Sequence, residues 1–191
     1  AAAVVLKTRA LLVNQRTQVI NALRAHLSEF GIIAAAGTTK VAGLISIVRD
    51  EADLRLPKAA RHALMEVASQ IEALKAQIEK LEKVIVATVK RDDARRLVTI
   101  PGVGAITAAS VRALVPDPGG FKSGRHFAAW LGLTPKPHSS GGKERLGRIS
   151  KMGNPALRSL LVVGATAVLR HARGNPNASK WLTALLARRP Y

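Results

Sequence analysis

The apolar positions of this sequence fall into runs of helical period. Leu6, Val13, Ile20 and Leu27 recur every seven residues, and Leu23 and Phe30 thicken the stripe. Residues 1–30 therefore read as one amphipathic helix. Arg9, Arg16 and Arg24 lie off the stripe, and Gly31 is a natural stop. Residues 31–40 read as a loop. The short apolar run VAGLISIV at 41–48 suits helix or strand, and its helical neighbours favour helix. Leu56-Pro57 closes this unit. The most regular pattern comes next: Leu64, Val67, Ile71, Leu74, Ile78, Leu81, Ile85 and Thr88 alternate spacings of three and four, and seven of the eight are apolar. A seam of period 3.5 makes a left-handed coiled coil or a long helical hairpin. It reads either as a core helix of a bundle or as a coiled-coil arm over about 59–93. The arm would pair with another helix, the first being the obvious partner, or with another chain. Homo-oligomerisation through it is the expectation.

The second half changes character. Residues 95–115, RRLVTIPGVGAITAASVRALV, run an apolar helix end into Pro101-Gly102-Val103-Gly104 and then an Ala-rich helix. This is a helix–hairpin–helix-like pattern. Gly102 and Gly104 would let backbone N–H groups approach a DNA phosphate with no side chain in the way. A glycine turn between two packed helices reads equally well. Pro116 to Gly120 is a loop, and Ser123 is placed to cap a helix through Trp130 and Leu131. Phe127 and Trp130 belong to a core, because 3% aromatics cannot build an extended base-stacking surface. Asn154 and Pro155 open a helix that runs to His171. Gly174-Asn175-Pro176 breaks it, and a last helix spans about 177–187. The only strand signal is a small hairpin within 143–150. The expected fold is all-α: a helical arm over 1–93, then a compact helical domain over 94–191.

Charge sharpens this picture. The 191 residues carry a net charge of +18. Residues 101–191 hold 14 Lys and Arg against 2 Asp and Glu, which is +12. Such a chain is drawn to polyanions, and nucleic acid is the usual one. No apolar run reaches the roughly 18 residues of a membrane span. There is no cysteine, and the five histidines are scattered without metal-ligand spacing. No metal site is expected in this chain. The first residues do not read as a signal peptide, and a cytoplasmic protein is expected.

The chemistry concentrates in Gly132–Arg158, GLTPKPHSSGGKERLGRISKMGNPALR. Ser139 and Ser140 precede Gly141-Gly142. Lys136, Lys143, Arg145, Arg148, Lys151 and Arg158 surround them, with Glu144 the only acid. The expectation is a small rigid loop whose hydroxyls are ringed by cations, beside a positive helix end. That is a site for a phosphate, or for attack on one. His138 is read as a packing residue rather than a proton relay.

These pieces, in this order and spacing, resemble the transposases of the IS-one-ten family of bacterial insertion sequences. The resemblance rests on Ile100-Pro101-Gly102-Val103-Gly104, Phe127 to Pro135, Ser139-Ser140-Gly141, Gly147 to Asn154 and Leu157-Arg158. Leu12 to Thr17 and Asn21 to Arg24 extend it to the amino-terminal helix. The resemblance implies an RNA-guided recombinase that uses a serine nucleophile on DNA, and Ser140 matches that nucleophile, with Ser139 as the fallback. It implies DNA and a guide RNA encoded by the element as partners. It also implies a separate RuvC-like domain carrying four acidic residues and divalent metal (Mg), which would precede the first helix. Asp50, Glu51 and Asp53 are too clustered to replace that tetrad, so the chain is expected to be a carboxy-terminal fragment, inactive alone. The competing readings are a non-catalytic basic nucleic-acid-binding module and a structural coiled-coil dimeriser.

Overall fold

The computed structural model describes residues 2–35, 37–115, 117–173, 175 and 177–188. Helix accounts for 70% of the structure and strand for 5%. The all-α expectation is thus met except for one small hairpin. The chain divides into two compact units, Ala3–Val84 and Ile85 onward.

The first unit packs α1 (Ala2–Glu29), α2 (Val41–Arg49) and most of α3 (Lys58–Arg91), with a 3₁₀ turn at Thr38–Lys40. α1 ends where Gly31 takes φ +72°. Ile32 N–H donates to Leu27 O at 3.0 Å and Gly31 N–H to Ser28 O at 3.0 Å, the paired bonds of a Schellman cap. Ile32 then joins Leu27 in the core. That core links Ile20, Leu23 and Leu27 to Val41, Leu44, Ile45 and Val48, and to Leu64, Ala68 and Ile71. Buried Arg61 donates to the carbonyls of Ile47 at 3.1 Å and Val48 at 2.9 Å, and to that of Asp53. It thereby satisfies the carboxyl-terminal end of α2, where a cation is also favoured by the helix dipole.

The α3 seam is buried inside the chain. Leu64, Ile71, Leu74, Ile78 and Ile85 are at most 7% exposed. Ala68 and Val89 are buried with them, whereas Thr88 is exposed. The buried line therefore steps one residue away from the heptad prediction at 67/68 and again at 88/89. Arg9 on α1 pairs with Glu82 on α3, 73 residues away, so an arginine off the apolar stripe ties the two helices together. Within the chain this seam packs as a core helix of a bundle, with Val67 and Leu81 left partly exposed.

The second unit contains a 3₁₀ helix (Asp93–Thr99), α4 (Ala105–Leu114), a 3₁₀ turn (Pro118–Gly120), α5 (Gly124–Trp130), β1 (Pro135–Pro137), β2 (Leu146–Ile149), α6 (Pro155–Ala172) and α7 (Lys180–Arg188). Ser123 Oγ accepts from His126 N–H at 3.2 Å, and Asn154 Oδ1 accepts from Leu157 N–H at 3.1 Å, with Pro155 at the first helical position. Both caps were legible as sequence. Leu131, Val115 and Leu157 are buried and packed by Val111, Phe121, Phe127, Leu133 and Leu161. Phe121 stands edge-on to both Phe127 and Trp130, so the aromatics pack with one another. Gly174 and Pro176 of the proposed helix break, Pro116, and the terminal residues 189–191 lie outside the described residues. Among the described residues no helix is long and apolar enough to cross a membrane.

Candidate functional site

Ser139 and Ser140 sit at the far end of an antiparallel hairpin. β1 pairs with β2 through Pro135–Ile149 and Pro137–Leu146, with an irregularity between them. His138 N–H donates to Arg145 O at 2.7 Å, and Ser140 and Lys143 form a further bridge. Lys143 N–H closes the turn on Ser140 O at 3.1 Å, and Gly141 and Gly142 take φ +56° and +76°. Positive φ at both central residues marks a type I′ turn, whose twist suits a two-residue hairpin and which side chains disfavour. The sequence expected a hairpin within 143–150. It is longer, and its first strand is the proline-bearing approach.

The hairpin projects and is anchored at its base. Residues 135–146 are all exposed. At the base, Ser150 N–H donates to Thr134 O at 2.9 Å and Lys151 N–H to Gly132 O at 3.0 Å. Lys151 holds φ +56°, an uncommon conformation for a side-chain-bearing residue. Half-buried Arg158 donates through Nη1 to Leu131 O at 2.9 Å and Gly153 O at 3.2 Å.

This register sorts the predicted residues. Cross-strand partners share a face and neighbours alternate. Ser140, Lys143, His138, Arg145 and Lys136 thus share one face, and beyond the irregularity Arg148 returns to it. Pro137, Ser139, Glu144 and Leu146 take the other. Ser139 Oγ accepts from Arg145 N–H at 3.1 Å, so this hydroxyl is engaged within the hairpin. Ser140 Oγ has no hydrogen-bond partner among the described residues and is exposed.

The expected ring of cations is instead a row. Lys143 and Arg145 flank Ser140 at the tip. Lys136 lies four strand residues back, about 13 Å at ~3.3 Å per residue. Lys151 and Arg158 belong to the base, where Arg158 serves main-chain carbonyls. The ring of His138 lies over Gly147: a Cβ there would stand 2.7 Å from it. The packing reading of His138 therefore has a contact behind it.

Gly102 and Gly104 separate in the same way. Val103 N–H donates to Ile100 O at 3.0 Å, closing a turn with Gly102 at φ +83°. A Cβ on Gly102 would stand 2.6 Å from Gly164 O of α6, so its open side is already filled by that helix. Gly104, with nothing within 4 Å of its missing Cβ, precedes α4 without a side-chain cap. Gly102 thus answers to packing, whereas the space beside Gly104 is open. The segment leading into the turn is the 3₁₀ helix Asp93–Thr99, and α4 follows the turn.

The acids Asp50, Glu51 and Asp53 do not make a metal donor set. Asp50 Oδ1 accepts from Ala52 N–H, and the Asp53 carboxylate is held by Arg55. Among the described residues no three His, Asp or Glu side chains converge. The divalent metal implied by the resemblance does not fit these residues.

Comparison with known proteins now bears on this geometry. Residues 94–181 match the family described as Transposase IS116/IS110/IS902. Residues 94–181 belong to that transposase family. The similarity runs further than that segment. A transposase-like protein of Sinorhizobium fredii is 43% identical over 192 residues, covering 99% of this chain and 49% of its own length. The transposase of insertion sequence element IS1111A from Coxiella burnetii is 39% identical over 96% of this chain and 51% of its own length. A pilin gene-inverting protein of Moraxella lacunata is 36% identical over 73 residues, 38% of this chain and 23% of its own. The chain thus spans about half the length of the transposases it matches. Two of these relatives are described as transposases and the third as a gene-inverting protein.

Proposed function

We propose that this chain is the DNA-engaging, serine-bearing part of an insertion-sequence transposase, with Ser140 as its nucleophile. In the step envisaged, Ser140 Oγ attacks a DNA phosphorus in line. The Oγ–P bond forms as the bond to the leaving strand's oxygen breaks, and that oxygen departs as a hydroxyl. Serine gives up its proton and the leaving oxygen gains one. One phosphoester replaces another, so the strand can be resealed without ATP. Neighbouring Lys and Arg offset charge growing on the equatorial oxygens.

The observation that supports this reading is the contrast between two adjacent hydroxyls. Ser139 Oγ is taken up by Arg145 N–H, whereas Ser140 Oγ is free at the tip beside Lys143. A guide RNA and an acidic metal-binding domain outside these residues belong to the same proposal. So does backbone phosphate contact at Gly104. A homo-oligomer formed through the helical arm belongs to it as well. In a system supplied with that domain and RNA, Ser140→Ala is expected to abolish the covalent protein–DNA adduct, seen as a slowed band after denaturation. Binding should stay nearly intact, because one hydroxyl adds little to a charge-dominated interface. Ser139→Ala should be milder. Adduct formation by both single variants and the double variant would leave only the second reading, a basic nucleic-acid-binding module, which the unpaired exposed cations already favour.

A further inference from the structure

The two faces of the hairpin are chemically unlike, and the difference is not visible in the linear sequence. Within the sequence 136–148, cations, an acid and apolar residues are interleaved. The register separates them. One face gathers Lys136, Lys143, Arg145 and Arg148 with Ser140. The other carries Glu144, Pro137 and Leu146, the last 69% exposed. None of the four cations has an acidic partner among the described residues, whereas Arg9, Arg49, Arg55 and Arg112 are all paired.

We propose that the Ser140 face of this hairpin is a one-sided platform for a DNA backbone, on which Lys143 and Arg145 hold the phosphate addressed by Ser140. Lys136 and Arg148 hold phosphates further along. The geometry limits the assignment. A directly opposite pair has Cβ atoms ~5 Å apart, and a diagonal pair ~7 Å. Lys143 is opposite Ser140 and Arg145 is diagonal to it, so both side chains can meet a phosphate on Ser140 Oγ. Lys136, about 13 Å back, cannot meet the same one. At ~3.4 Å rise per nucleotide that offset is about four steps of duplex. The contacts therefore run from the tip to one side only. This inference rests on DNA being the ligand but not on serine chemistry.

The chain has no cysteine, so a single introduced thiol is its only one. The probe is duplex DNA with a bromoacetyl group on one phosphorothioate; a thiolate attacks its CH2 carbon, the S–C bond forming as bromide leaves. At saturating DNA, Ser140→Cys is expected to crosslink at least tenfold faster than Ser139→Cys or Leu146→Cys. Adding Lys143→Gln or Arg145→Gln should slow the Ser140→Cys reaction several-fold. Adding Lys136→Gln or Arg148→Gln should instead weaken binding and make the salt dependence shallower by about one unit of slope. Equal crosslinking from all three positions, or equally fast crosslinking to an RNA duplex carrying the same group, would overturn the proposal. Fast Ser140→Cys crosslinking without any serine–DNA adduct in the supplied system would defeat the nucleophile and leave the platform standing.

Discussion

Gly164→Ala in α6 sets two physical effects against each other. On propensity alone, alanine in a helix interior gains about 0.8–1 kcal/mol over glycine. Contact geometry opposes this. A Cβ on Gly164 would stand 2.1 Å from Gly102 O and 3.0 Å from Gly102 C. An ordinary carbon–oxygen contact is about 3.3 Å or more, so the turn and α6 must part by about 1 Å. The obstruction is backbone, and no side chain can swing aside. Overpacking costs about 1–3 kcal/mol, and an obstruction made of backbone at this distance belongs in the upper half of that range, about 2–3 kcal/mol, which outweighs the propensity gain. The expected net loss is about 1–2 kcal/mol, or on the order of 10 °C in the melting temperature of a unit this size. Gly43→Ala in α2 is the matched control: nothing lies within 4 Å of its Cβ position, so propensity acts alone and stability should rise by about 0.5–1 kcal/mol. Both tryptophans, Trp130 and Trp181, lie in the second unit. Urea unfolding followed by tryptophan fluorescence thus isolates Gly164→Ala, and helical circular dichroism reads the control. A Gly164→Ala variant as stable as wild type, with Gly43→Ala stabilised, would refute the close approach of turn and helix.

Two further predictions concern the first unit. The Arg55 side-chain hydrogen bond, with its backbone N–H, lowers the Asp53 carboxyl from its ordinary 3.8 to about 2. The stability this adds is present above pH 4 and is lost as pH falls through about 2. A carboxyl-carbon NMR titration should show a midpoint near 2 that moves up in Arg55→Gln, and a midpoint near 3.8 in the unaltered chain would contradict the pairing. Arg61→Met keeps the aliphatic stem but leaves the carbonyls of Ile47, Val48 and Asp53 without their donor. It should cost about 3 kcal/mol in urea unfolding read by circular dichroism, since unmet buried groups cost ~1–3 kcal/mol each, and a neutral result would show that water replaces the guanidinium.

Local chemistry was the legible part of this chain. Gly31, Ser123 and Asn154 act through groups within five residues of themselves, so their caps could be read directly. The α3 seam was legible as a pattern but not as a partnership, because a heptad says that a face is apolar and not which helix covers it. The first strand of the hairpin escaped notice because Pro135 and Pro137 argue against a ladder. The contact of Gly102 with Gly164 joins residues 62 apart and leaves no trace in either local sequence. The cations are plain in the sequence, but their sorting into tip, row and base depends on register. Arg158 in particular looks like its neighbours in sequence, and differs only because two carbonyls come within its reach.

The two prolines of β1 have a consequence for how such hairpins behave when crowded. His138 N–H points across the ladder. By alternation, the amide positions of 135 and 137 point outward, to the open edge. A bare edge there would offer donors to any passing strand, and projecting ribbons gathered on one polyanion could stitch into a shared sheet. Proline has no N–H to offer. Its ring at these two positions removes the outward donors without subtracting a bond from the hairpin itself. The β1 edge of the ribbon can therefore stand clear of its own core without offering those two donors to a passing strand.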